Sequence, residues 1–310
     1  MKMAGRRSAL LPPRLQGGDR IGVVAPAGPV RKEALEPGLA ILRERGYVVV
    51  EGAHLRRRAG YLAGSDRERL ADLNRMLRDP RLCAIWCARG GYGSARIVEG
   101  LDFAALRRNP KALVGYSDAT VLHASAWRRL RLASFYAPNV SDLGNPLSYE
   151  ARTLWGFLEG DNAADVELPL GDPTVIRAGR AEGVLLGGCL SLLVSLAGTP
   201  WAVPERGAIF FWEEVGEEPY RIDRMLGHLR QAGALDRIGA MIVGQTVGCA
   251  AKDPANDVPL RDIVRRHLGA ARIPVVIGLP AGHGTGKLTL PLGRRVRLDT
   301  ARGRLTVSGR

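Results

Sequence analysis

Long apolar runs are missing from this 310-residue chain. No segment approaches the roughly 20 consecutive apolar residues that a membrane-spanning helix requires, so a location away from the bilayer is expected. Cysteine is scarce as well. The four present, Cys83, Cys87, Cys189 and Cys249, show neither the C-x2-C spacing of a zinc site nor the density of a disulfide scaffold, and they lie in apolar segments as expected buried thiols. Together these absences point to a reducing, cytoplasmic setting. Internal repeats and low-complexity tracts are also lacking, which excludes solenoids and extended disorder. Acidic residues are outnumbered, 31 against 45 basic ones, giving a net charge of +14. Almost all the cations are arginines, scattered in pairs and triplets such as Arg56-Arg57-Arg58, Arg107-Arg108 and Arg294-Arg295, and no nucleic-acid-binding motif accompanies them. Solvated faces explain the surplus better than a nucleic-acid partner, and an anionic small substrate remains compatible with it.

What is present is a folded, turn-rich composition: 46% hydrophobic residues and 39 glycines. Arg6-Arg7 precedes Ser8-Ala9-Leu10-Leu11, but Pro12, Pro13 and Arg14 interrupt before an export-length apolar stretch forms, so residues 1–16 read as a loose tail. Asp19 to Pro26 has the apolar, β-branched density of a buried parallel strand and ends in a turn at Ala27-Gly28-Pro29. A helix over Glu33–Arg45 and a strand at Tyr47–Val50 complete a βαβ unit. Ser65 and Glu68 form a capping-box pattern that opens a helix through Leu77. The strand Ala84–Ala88 then runs into the glycine turn Arg89-Gly90-Gly91-Tyr92-Gly93, followed by a predicted helix over Ser94–Gly100. Strands are also predicted at Ala112–Val114 and Ala133–Pro138. This repetition predicts a doubly wound α/β domain over residues 17–150, in which ligands collect at the carboxyl ends of the strands. Residues 151–178 read as a connection, and 179–310 as a smaller, mixed, β-rich and partly barrel-like domain. In that second half, strands are predicted at Ala208–Trp212, Ala240–Gly244 and Val275–Leu279, with a helix over Ile222–Gln231.

The most telling segment is Gly115-Tyr116-Ser117-Asp118, where a short β-type stretch delivers a lone serine to the mouth of a helix. A serine nucleophile needs a base and donors for the oxyanion that follows its attack. The N–H of Asp118 and the Gly90-Gly91 turn are candidate donors, because glycine lets backbone approach a substrate closely. The alternative is that Ser117 merely caps the helix. Among five histidines only His283 sits in a glycine-rich turn, Gly282-His283-Gly284, whereas His123, His228 and His267 fall on helices. An orienting carboxylate is offered by Glu213 or Glu214 at the end of an apolar strand, or else the pair simply solvates an acidic turn with Glu217 and Glu218.

Taken in order, Gly18-Asp19-Arg20-Ile21-Gly22-Val23-Val24-Ala25-Pro26, Arg89-Gly90-Gly91-Tyr92-Gly93, Gly115-Tyr116-Ser117-Asp118, Trp212-Glu213-Glu214-Val215-Gly216-Glu217, Tyr220-Arg221-Ile222-Asp223-Arg224 and Gly282-His283-Gly284 resemble the LD-carboxypeptidase family. These are serine peptidases of family S66, which also contains microcin-immunity hydrolases. The resemblance covers most of the chain. It implies an N-terminal flavodoxin-like parallel-sheet domain bearing the serine and a C-terminal β-rich domain bearing glutamate and histidine, usually as a homodimer. It lays the catalytic triad on Ser117, Glu213 and His283, and the oxyanion-binding N–H groups on Gly91, Gly90 and Asp118. It further implies a murein peptide substrate that loses terminal D-alanine across an L,D-peptide bond, with no metal or cofactor. Within the family the alternative is an amidase acting on aminoacyl nucleotide analogues; from another class, it is a non-catalytic nucleotide-binding α/β protein whose Ser117 is only a cap. Two positions depart from the family pattern, Cys189 where asparagine is usual and Ala137 where glycine is usual, and both bear on the shape of the cleft.

Overall fold

In the computed structural model, residues 9–160, 164–268 and 271–309 are described. Five of the six strands of the first sheet run parallel: β1 (Arg20–Val24), β2 (Val48–Glu51), β3 (Leu82–Cys87), β4 (Ala112–Gly115) and β5 (Ser134–Tyr136). Their spatial order is 2-1-3-4-5, a doubly wound arrangement whose direction of winding reverses between β1 and β3. The loops that leave the carboxyl ends of those two strands meet there, and Gly28 N–H donates to Gly90 O at 3.1 Å. A crevice is therefore dictated by topology at the place where the glycine turn lies.

The helices follow from their sequences. Helix α1 (Lys32–Glu44) buries Leu35, Leu39 and Leu42 at the spacing of one helical face. Its Gly38 is obligatory, since a Cβ there would sit 1.8 Å from the carbonyl oxygen of Val140. Helix α2 (Asp66–Arg78) starts with the predicted capping box, Glu68 N–H donating to Ser65 Oγ and Ser65 N–H to Glu68 Oε2. Between β3 and the short helix α3 (Phe103–Arg108), the helix expected over 94–100 is instead two 3-10 turns, Ser94–Arg96 and Val98–Gly100. Gly93 enters with φ 138°, and Ser94 N–H is spent on the Asp118 carboxylate at 2.8 Å, so no α-helical start is established. Helix α4 (Thr120–Leu130) follows the serine, α5 (Val140–Leu143) caps β5, and α6 (Ala151–Glu159) leads away from the first sheet.

The second sheet has eight strands. β6 (Val166–Pro169) and β7 (Thr174–Arg177) come from the segment read as a connection and occupy its two edges. Its parallel centre is β8 (Arg180–Cys189), β9 (Ile209–Val215), β10 (Ala240–Val247) and β11 (Val275–Ile277), covered by α7 (Leu190–Ser195), α8 (Pro219–Gln231) and α9 (Leu260–Leu268). The chain then returns to the first sheet: β12 (Leu290–Leu292) pairs antiparallel with β5, before β13 (Arg295–Asp299) and β14 (Arg304–Val307) complete the second. One hydrophobic cluster draws on both sheets, joining Val114 and Phe135 to Phe211 and Ile242.

Two expectations are corrected. Residues 9–16 are not loose: Leu10 bridges to Leu132, and Leu15 is buried with its N–H on Leu158 O. The Arg6-Arg7-Ser8 portion of the predicted tail lies outside the described residues. Of the four thiols only Cys87 and Cys189 are buried, while Cys83 and Cys249 are partly exposed. No helix among the described residues is long and apolar enough to cross a membrane.

His123 on α4 illustrates a core histidine held neutral. Its Nε2 bonds Gly115 O at 2.8 Å and its Nδ1 meets Ser134 Oγ at 2.9 Å. Burial pushes its pKa down to about 4, against a small opposing pull from the Gly115 carbonyl. Because the folded value lies below the unfolded one, the unfolded chain takes up the proton first as pH falls. The stabilisation is thus complete above about pH 6.5 and is lost towards pH 4, on the order of 3 kcal/mol in all. Urea unfolding should show the stability gap between wild type and His123→Gln narrowing over that interval; a gap independent of pH would contradict the assignment.

Candidate active site

Strand β4 ends at Gly115, and Ser117 follows with φ 63°, a left-handed conformation that a non-glycine residue adopts at a cost. The turn is tight because Gly90 lies directly against it. A Cβ on Gly90 would come within 2.7 Å of Ser117 Cβ and 2.8 Å of its Oγ. Gly91 takes φ 117° and packs on Gly28. Neither the Gly90 nor the Gly91 N–H donates to a protein acceptor among the described residues. Gly90→Ala is expected to push Ser117 aside and slow its acylation on the order of 10²-fold, read by the rate of fluorophosphonate labelling. An unchanged rate would show that the close packing is incidental.

Ser117 N–H donates to the Tyr136 hydroxyl at 3.2 Å, and that hydroxyl donates to Glu213 Oε1 at 2.6 Å. The other oxygen, Glu213 Oε2, meets His283 Nδ1 at 2.7 Å. The Tyr116 ring packs edge-on against the imidazole, centroids 4.9 Å apart. Residues distant in sequence, Ser117, Tyr136, Glu213 and His283, are thus joined across the two sheets. Among the described residues no hydrogen bond links the Ser117 hydroxyl directly to the His283 ring. Glu213 is fully buried, and both its oxygens are occupied by donors, as a buried carboxylate requires. Tyr136 is buried too, and burial together with the neighbouring Glu213 drives its hydroxyl well above the ordinary tyrosine range, so it stays a donor.

The loop carrying His283 is held on both sides. Gln245 Oε1 accepts from Gly284 N–H at 2.9 Å and its Nε2 donates to Thr285 O at 3.0 Å. Gly282 has φ 134°, and a Cβ there would stand 2.6 Å from Glu213 Oε2. Glycine is therefore what lets the loop descend onto the carboxylate.

The residue pattern left Glu213 and Glu214 open as alternatives. Neighbours on a strand face opposite ways, and only Glu213 reaches the imidazole. Glu214 turns to α7, accepting from Ser191 N–H at 2.7 Å and from its neighbour Val215 N–H, with burial raising its pKa. Asp118, whose N–H was the feature of interest, also contributes a buried carboxylate that ties the 94–96 turn to the serine turn; burial raises its pKa. Tyr136 and Gln245 were not foreseen. A buried tyrosine at a strand end, whose hydroxyl must find a partner, was the available signal for the first. A separate cleft of about 740 Å³, lined by Trp127, Arg131, Glu205 and Arg294 among others, contains none of these groups.

Comparison with known proteins places the chain among hydrolases of the carboxypeptidase class. The model of the LD-carboxypeptidase N-terminal domain matches residues 21–137 and that of the C-terminal domain matches residues 182–298. The chain belongs to the LD-carboxypeptidase family, S66. It is 38% identical to a probable murein peptide carboxypeptidase of Bacillus subtilis over 94% of this chain and 92% of that one. Among solved structures it resembles a muramoyltetrapeptide carboxypeptidase from Oxalobacter formigenes, with TM-score 0.81 and 31% identity over 94% of this chain and 99% of that one. It also shares its fold with a microcin C7 self-immunity protein solved with aspartyl sulfamoyl adenosine, with TM-score 0.89 and 24% identity over 97% and 99% of the two chains.

Proposed function

We propose that the protein is a serine carboxypeptidase that releases terminal D-alanine from murein tetrapeptide, with Ser117 as nucleophile, His283 as general base and acid, and Glu213 as the carboxylate that orients the imidazole. The observation that carries this reading is the Glu213–His283 contact of 2.7 Å at Nδ1. It keeps the Nδ1 proton on the carboxylate side and leaves Nε2 free to accept a proton. His283 Nε2 takes the Ser117 proton as Oγ bonds to the scissile carbonyl carbon, and negative charge develops on the carbonyl oxygen. The N–H groups of Gly90, Gly91 and Asp118 are assigned to that oxyanion, consistent with the two glycine N–H groups lacking other acceptors. The imidazolium then protonates the departing amine as the C–N bond breaks, leaving an acyl-enzyme. Water, deprotonated by the same imidazole, hydrolyses the ester and restores the serine. Catalytic hydrogen bonds tighten on forming the substrate complex, which accommodates the absence of a direct Ser117–His283 bond in the free protein.

The names of the Bacillus subtilis and Oxalobacter formigenes proteins support a murein peptide as substrate. A cytoplasmic place in peptidoglycan recycling and a homodimeric assembly belong to the same proposal. The fold shared with a microcin self-immunity protein favours a second reading, an amidase acting on aminoacyl sulfamoyl nucleosides with the same three side chains. Incubation with murein tetrapeptide and mass analysis separates the two: loss of one D-alanine supports the first, whereas an intact peptide and a cleaved aminoacyl sulfamate support the second.

A further inference from the structure

Four residues beyond His283, Lys287 is buried, keeping about 4% of its surface, and its ammonium has no hydrogen-bond acceptor among the described residues. A lysine charge taken out of water in this way is costly unless something pairs with it. The nearest compensation is at longer range, from Asp142 and Glu213. The ammonium is not fully enclosed, unlike unpartnered groups such as Arg20 Nε and Trp212 Nε1, so part of the little surface Lys287 retains lies at its charged tip. That tip stands 5.1 Å from the centroid of the Tyr116 ring, and the same ring packs against the His283 imidazole. Lys287 is therefore a desolvated cation that shares the Tyr116 ring with the group assigned to protonate the leaving amine. Another cation near Tyr116, Arg89, is exposed and already donates to Pro29 O at 2.8 Å.

We infer that Lys287 is the specificity-determining residue that pairs with the free α-carboxylate of the substrate's terminal residue, and so confines this enzyme to the last peptide bond. The inference rests on the carboxypeptidase reading given above. In a peptide's last residue, the carboxylate is attached to the Cα that bears the scissile nitrogen, so it must lie within a few ångströms of the group that protonates that nitrogen. A cation that reads it has to sit on the His283 loop or against it. Lys287 meets that requirement through its backbone as well: its N–H donates to Ser148 O, and its carbonyl accepts from Glu150 N–H, fixing the stem of the side chain. The low-dielectric setting makes the pairing strong, and an amide or an extended chain in the same place leaves the ammonium unpaired.

The test compares murein tetrapeptide with the same peptide carrying a C-terminal amide, for wild type, Lys287→Met and Lys287→Gln. Wild type is expected to favour the free acid by on the order of 10²-fold in kcat/KM. The variants should lose most of that preference, chiefly through a raised KM for the acid. A wild type that cleaves acid and amide equally well overturns the inference without recourse to any variant, as does a variant that keeps the wild-type KM and preference. If wild type cleaves neither peptide, the carboxypeptidase reading itself fails, an outcome distinct from both.

Discussion

Ser117→Ala is expected to lower kcat/KM for murein tetrapeptide by on the order of 10⁴ to 10⁶-fold, while thermal stability changes little or rises. The size of the effect follows from the covalent mechanism proposed above. Without the hydroxyl no acyl-enzyme forms, and what survives is the contribution of oxyanion donors and substrate binding to direct attack by water. Stability should not suffer, because Ser117 is only partly buried and, among the described residues, its Oγ donates no hydrogen bond, while alanine keeps the same Cβ at φ 63°. Steady-state kinetics with D-alanine detection, alongside calorimetry, measures both. Residual activity above about a tenth of wild type would rule out Ser117 as the nucleophile.

Glu213→Gln is expected to cost on the order of 10⁴-fold in kcat with a much smaller change in KM. The substitution is nearly isosteric, so packing is retained. Its consequence is electronic: the carboxamide no longer compensates an imidazolium and can present N–H to Nδ1, which favours the tautomer that places the remaining proton on Nε2. The base is then blocked where it is needed. The Tyr136 hydroxyl loses a charged acceptor as well, and with it the link to Ser117 N–H is weakened. Glu214→Gln is the informative contrast. That carboxylate serves Ser191 N–H and Val215 N–H, so its loss should appear in stability rather than in kcat. Equal losses of kcat in the two variants would mean that general acidity of the strand end, not orientation of one imidazole, matters.

Much of the first sheet was legible in the sequence because its signals are local. The apolar density of Ile21–Val24, the Ser65–Glu68 capping box and the glycines at 90 and 91 each encode their structure within a few residues. The membership of the family was legible for a related reason, since short segments at turns carry it. What was not legible depends on contacts between distant parts of the chain. Nothing in Leu290-Pro291-Leu292 announces that it leaves the second half to become the edge strand against β5, although a proline suits an edge. The choice between Glu213 and Glu214 needed the pleat of β9 against the loop from β11. Tyr136 reads as one more buried aromatic until its hydroxyl is seen between Ser117 N–H and Glu213. The stretch 94–100 misled because its helix-like composition is overruled by two glycines and by the Asp118 carboxylate, which takes the Ser94 N–H.

The reactivity of one hydroxyl is the point on which all of this turns, and reaction with a fluorophosphonate followed by peptide mapping interrogates it directly. A single adduct on Ser117 is expected in wild type, none on Ser117→Ala, and labelling slowed by at least about 10³-fold in Glu213→Gln. Labelling at another residue, or at the same rate in wild type and Glu213→Gln, would contradict a serine activated through His283 and Glu213.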